Sequence, residues 1–153
     1  MSDDGNTLTL RTTSHPPDSD NPVTYEASFT RIGKAPAGSE WGGSWQVNKF
    51  KASDNGLMTT YKSNGDDLTM STPTGESYTA KMDGKDYPVK GTYTYNSVSL
   101  KRIDDRTIER TDKRDGKVIE VSKITVEPDG KTMTVFQTNK LTDRTSTWVA
   151  EKQ

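Results

Sequence analysis

Two arginines have the type and spacing to hold a ligand. Arg102 and Arg110 lie in the alternating runs "SVSLKRID" and "RTIERTDK". A strand would place Arg102 on the face of Val98 and Leu100, and Arg110 on that of Ile108. An inward guanidinium near the mouth of a barrel offers a planar fork to an anionic group. The same side chains can instead close on turn aspartates such as Asp104 or Asp112, and that pairing is the plainer expectation. Tyr78 and Trp148, with Tyr25, Phe29 and Trp45, could line an apolar pocket or fill a core, and Trp45 is read as core. Tyr78, Trp148, Arg102 and Arg110 are therefore the candidate ligand-binding residues.

Other chemistry finds little support. Glu109 and Glu120 stand inside strand-like runs and could act as acid or base, but no sequence feature brings a partner to either, so both are read as exposed strand charge. The Asp pairs at 66–67 and 104–105 lack the spacing of a calcium loop. His15 is the single histidine, in the turn-like "SHPPDSD", with no second ligand for zinc or haem. No catalytic residue, metal site or cofactor is expected.

The elements that must position these residues are strands. Turn sequences recur about every ten residues: "DDGN", "SDNG", "SNGDD", "PTGE", "MDGKD", "IDDR", "RDGK" and "PDGK". Asp-Gly and Asn-Gly supply the positive φ angles of tight hairpins, so the pattern predicts an antiparallel up-and-down sheet. Strands are expected near 6–14, 23–33, 43–51, 57–63, 66–72, 77–83, 97–103, 106–113, 117–127, 131–138 and 144–152. Alternation assigns to the interior Leu8 and Leu10; Val23, Tyr25, Ala27 and Phe29; Trp45 and Val47; Leu68 and Met70; Tyr78, Ala80 and Met82; Val98 and Leu100; Met133 and Val135; Trp148 and Ala150. On 117–127 the phase changes from Ile119 and Val121 to Ile124 and Val126, which predicts a bulge near Ser122 or Lys123 that keeps all four on one face.

With 153 residues the chain has room for one barrel or sandwich but not for two full domains. A hydrophobic share of 28% would suit a disordered chain, and the sustained alternation overrules it, leaving a sheet with a thin core. The 21 basic and 22 acidic residues are interspersed, which argues against a polyanion or membrane-surface partner. There is no cysteine and no apolar run near the roughly 20 residues of a membrane span. The polar start "MSDDGNT" lacks a signal peptide's apolar core, so an exported protein would have had its signal removed. Location is otherwise unassigned.

The two ends of the chain repeat each other. "DGNTLTL" at 4–10 matches "DGKTMTV" at 129–135, and "VTYEASFTRIGK" and "STWVAEKQ" follow in equivalent places. Residues 1–34 are thus read as a hairpin resembling the C-terminal one, the closing piece of a preceding unit. Residues 35–40 are read as a linker, and 41–153 as the complete domain. The orphan hairpin would compete for the place beside the strand at Trp45, adding to the barrel or exchanging with a second chain as a homodimer.

"GSW" at 43–45 followed by up-and-down strands resembles the lipocalin-like (calycin) barrels, and "TWVAEK" is similar to the last strand of their fatty-acid-binding branch. More closely, "YTAKMDGKDYPVKG" with "SVSLKRIDDRTIERTDKRDGKV" resembles a largely uncharacterised family of bacterial lipocalin-like β-barrel proteins. The resemblance implies an all-β antiparallel up-and-down barrel whose first and last strands pair, with Trp45 plugging one end and an extra N-terminal β-hairpin. It further implies binding of a small apolar or amphipathic molecule in the barrel. Trp148 and Ala150 stand where the fatty-acid-binding branch carries its Arg-x-Tyr pair, so the carboxylate clamp is missing. The alternatives are a non-hydrolytic isomerase or cyclase using the pocket, and a structural or assembly module with a filled barrel.

Overall fold

The computed structural model describes residues 1–15 and 20–153, so residues 16–19 of "SHPPDSD" lie outside it. Its regular elements are antiparallel strands and one short 3-10 turn, forming two compact units, Met1–Met58 and Thr59–Gln153.

The first unit is a three-stranded sheet in the order β1-β2-β3, with β1 at Thr7–Ser14, β2 at Val23–Ile32 and β3 at Ser44–Ala52. The expected strand through Trp45 forms, and its partner is β2, in the register Arg31↔Trp45, Thr30↔Gln46 and Phe29↔Val47. Val23 is buried beside the 3-10 turn Asp54–Gly56, where a Cβ on Gly56 would lie 2.7 Å from Val23 Cγ1. Tyr25 and Phe50 stack with ring centroids 6.0 Å apart. Arg31 is buried, with its guanidinium 4.2 Å over the Trp45 ring. Its Nε donates to the Gly5 carbonyl at 3.0 Å and its terminal nitrogens to the carbonyls of Glu40 and Gly42.

The second unit contains two sheets. One has the order β4-β5-β6, from Thr60–Asn64, Asp67–Ser71 and Ser77–Lys81. The other runs β12-β11-β10-β9-β8-β7, from Arg144–Glu151, Thr132–Asn139, Lys117–Val126, Thr107–Arg114, Ser97–Arg102 and Asp83–Pro88. A bridge between Ser77 and Lys90 links them, and apolar side chains pack between them. Leu68, Met70, Tyr78 and Ala80 pack on Val98 and Leu100, with Tyr61, Met82, Tyr87, Val89 and Ile108 at the margin. Burying a Leu or Val side chain stabilises by about 1.5–3 kcal/mol, so this cluster is the main apolar anchor of the unit.

Three expectations change. No closed barrel is found: β3 is bonded to β2, and β12 sits at a sheet edge bonded to β11. The bulge falls between Val118 and Glu120, earlier than expected. From there Glu120, Ser122 and Ile124 pair with Asp112, Arg110 and Ile108, so the strand turns polar groups toward the same face as Ile124. Leu10, Tyr25, Val47 and Trp148, assigned to the interior, are exposed, because a three-stranded sheet and an edge strand supply too few neighbours to cover them.

Candidate functional site

Arg110 organises the second unit. Ile108, Arg110 and Asp112 alternate onto one face of β9, opposite Ile124, Ser122 and Glu120 of β10. The Arg110 Nε donates to Asp112 Oδ1 at 2.8 Å, and Nη2 lies 3.9 Å from Glu76 Oε1. Nη2 also donates to the Tyr95 hydroxyl, which donates in turn to Glu76 Oε1. The guanidinium carbon is 5.4 Å from the Tyr78 ring centroid and 5.2 Å from that of Tyr95, within cation–π range. The Arg110 and Asp112 side chains are 14% and 5% exposed, so the pair is largely desolvated.

The electrostatics follow from this crowding. Burial opposes the Arg110 charge, but Asp112 foremost, with the two phenols, holds the guanidinium above its ordinary value. Burial raises Asp112 above the ordinary carboxylate value; Arg110 pulls it down, and the like charges of Glu120 and Glu76 push it up again. Burial also lifts the phenols of Tyr61, Tyr78 and Tyr95. Tyr78 Oη is the one buried side-chain polar atom among the described residues without a hydrogen-bond partner.

Beside this cluster lies a cavity of about 200 Å³. Its floor is Met70, Ile124 and Val135; Tyr61 and Trp148 supply aromatic wall, and Glu76, Arg110 and Glu120 the charge. The Trp148 ring N–H donates to Gln137 Oε1 at 3.3 Å, fixing the indole beside the opening. Glu120 Oε1 accepts from Ser122 Oγ at 3.5 Å, and among the described residues Glu120 makes no ion pair. One guanidinium therefore faces three carboxylates, Glu76, Asp112 and Glu120, an excess of negative charge.

Of the four candidate residues, Arg110 and Tyr78 meet, and Trp148 lines the same cavity as Arg110. Arg102 is exposed at the end of β8, away from that lining. Arg110 takes the pairing with Asp112 that the i, i+2 spacing allowed. Glu76 and Tyr95 escaped the sequence reading because one sits in a turn motif and the other in "TYTYNS", between the strands expected at 77–83 and 97–103. His15 is exposed beyond β1. Among the described residues no group of three His, Asp or Glu side chains is placed to hold a metal ion, and no helix is long and apolar enough to cross a membrane. Comparison with protein-family models, with curated proteins and with solved structures finds no match.

Proposed function

We propose that the second unit binds a small, partly apolar molecule with a cationic or hydrogen-bond-donating head in the cavity beside Arg110. The observation that carries this reading is that Arg110 is already engaged by Asp112 and Glu76, leaving Glu120 without an ion pair among the described residues at a cavity floored by Met70, Ile124 and Val135. A carboxylate ligand would meet like charge, whereas an amine would gain charge-assisted hydrogen bonds and an aromatic wall. The volume is below the roughly 300–1,000 Å³ of drug-sized sites, so the ligand is compact. A lipocalin-like relationship is part of this reading, supported by the up-and-down order of β7 to β12.

Native mass spectrometry of the purified protein, followed by thermal shift with an alkyl amine and the carboxylate of the same chain length, tests it. Stabilisation by the amine, lost in Glu120→Gln, is expected. Stabilisation by the carboxylate alone, or by neither, would refute it.

The raised carboxyl of Asp112 favours a second reading, proton transfer by an isomerase or cyclase. Asp112 is bonded to Arg110 and does not line the cavity, which makes binding the better account.

A further inference from the structure

The two similar hairpins of the sequence are built bond for bond alike. In β1–β2, Thr7 pairs with Thr30, Leu8 with Phe29 and Leu10 with Ala27. In β11–β12, Thr132 pairs with Glu151, Met133 with Ala150 and Val135 with Trp148. The turns before them match as well. The Ser2 N–H donates to the Thr7 carbonyl and Gly5 N–H to Ser2; the Glu127 N–H donates to Thr132 and Gly130 N–H to Glu127. Asn6 and Lys131 each donate a backbone N–H to the Asp two residues before, at 3.0 Å and 2.8 Å. Gly5 and Gly130 adopt φ of 68° and 66°. At the far strand, Arg31 N–H reaches Asn6 and Lys152 N–H reaches Lys131. Residue 31 therefore corresponds to 152, and 27 to 148.

The difference lies on the outer edge. β2 carries β3 there, with Arg31 stacked on Trp45 and bonded to the carbonyls of Glu40 and Gly42. Among the described residues β12 carries no strand there, and the concavity around Lys152 is open: Asp129, Lys131, Thr132, Glu151, Lys152 and Gln153 line about 530 Å³. Transferring the β2–β3 register to β12 sets Trp148 opposite Phe50, Ala150 opposite Val47 and Lys152 opposite Trp45. These are an aromatic pair, an apolar pair and a cation over an indole, each a favourable cross-strand combination. Trp148 and Val149 are 45% and 61% exposed along this edge.

We propose that the free edge of β12 is an acceptor for the β3 segment, residues 41–52, of a second copy of this chain, with Trp45 seated over Lys152. The second copy's own β1–β2 hairpin is displaced in the exchange. Because the two hairpins present the same ladder, exchanging one for the other conserves most hydrogen bonds, the condition for low-cost strand swapping. Intramolecular tethering keeps β3 on its own β2 in dilute solution, so exchange is favoured by high protein concentration.

The test is sedimentation of the full chain after refolding at high concentration. A dimer is expected, dissociated by excess synthetic peptide of residues 40–52. Lys152 N–H points to β11, so by alternation the N–H of Val149 points outward. Val149→Pro removes that donor without breaking the β11 ladder, and should reduce dimer at least tenfold at equal concentration. Lys152→Glu keeps every backbone donor and should reduce it several-fold; it decides the matter if the proline variant does not fold. A chain that stays monomeric, or a dimer that neither peptide nor Lys152→Glu weakens, overturns the proposal.

Discussion

Replacing Arg110 with Met removes the one cation that, among the described residues, sits in a cluster with the carboxylates of Asp112, Glu76 and Glu120. The Asp112 side chain is 5% exposed, so it cannot recover hydration without distorting β9. Breaking a buried pair by deleting one partner costs about 3–5 kcal/mol. Asp112 can relieve part of this by taking up a proton, which places the expected loss near the lower end, about 3 kcal/mol at neutral pH. Replacing both partners, Arg110→Met with Asp112→Asn, removes the stranded charge and should cost only about 1 kcal/mol. The pH dependence has a definite sign. Asp112 in the folded protein already holds its proton above the ordinary value of 3.8. Losing Arg110 raises it further, so the folded state binds a proton that the unfolded chain does not. Stability from this group is then full below 3.8 and lost as pH rises through the folded value, so the Arg110→Met deficit should shrink as pH falls from neutral toward 3.8. Urea titrations followed by the NMR signals of β9 and β10 amides would report the Thr59–Gln153 unit alone. A single variant within about 1 kcal/mol of the parent at pH 7, with no gain on acidification, would refute the account of the cluster.

Tyr78→Phe deletes a buried hydroxyl with no partner and should raise stability by about 0.5–1 kcal/mol, since an unsatisfied buried polar group is unfavourable; a measured loss larger than that would mean the hydroxyl is bonded in solution. Gly91→Ala should be severe: Gly91 has φ of 72°, and a Cβ there would lie 2.1 Å from the Gly75 carbonyl oxygen. Loss of the Ser77–Lys90 bridge, read as faster amide exchange at both residues, is the expected signature, and unchanged exchange would contradict it.

Much of the strand pattern was legible because Asp-Gly and Asn-Gly turns and two-residue alternation are local signals. The hairpins through Leu68, Tyr78, Val98 and Val135 lie where both signals agree. β7 was not legible: "DGKDYP" carries one aromatic and no alternation, and its ladder is irregular between Asp83 and Asp86. Pairing partners were harder still. That β3 joins β2 and not the last strand is a choice of partner, which alternation within a strand cannot rank. At the candidate site, Arg110 and Asp112 share a face by spacing alone, whereas Glu76 and Tyr95 reach it only through packing of one sheet on another. The bulge at Ile119 decided whether Glu120 faces the cavity, and a one-residue difference there reverses the answer.

The Asp-Gly and Asn-Gly turns that shape these hairpins also set how the protein ages. In such dipeptides the glycine nitrogen can attack the preceding side-chain carbonyl, closing a succinimide that reopens mainly as isoaspartate and inserts an extra methylene into the backbone. The attacking nitrogens of Gly5, Gly56 and Gly130 are each held in a hydrogen bond, to the carbonyls of Ser2, Ser53 and Glu127. Folding thus shields these three turns from a reaction their sequence invites. Peptide mapping after prolonged incubation should find isoaspartate at Asp4, Asn55 and Asp129 accumulating more slowly in the folded protein than in urea. At Asp4 and Asp129 the same turn geometry that sets the strand register then also acts as a covalent preservative of the two matching hairpins.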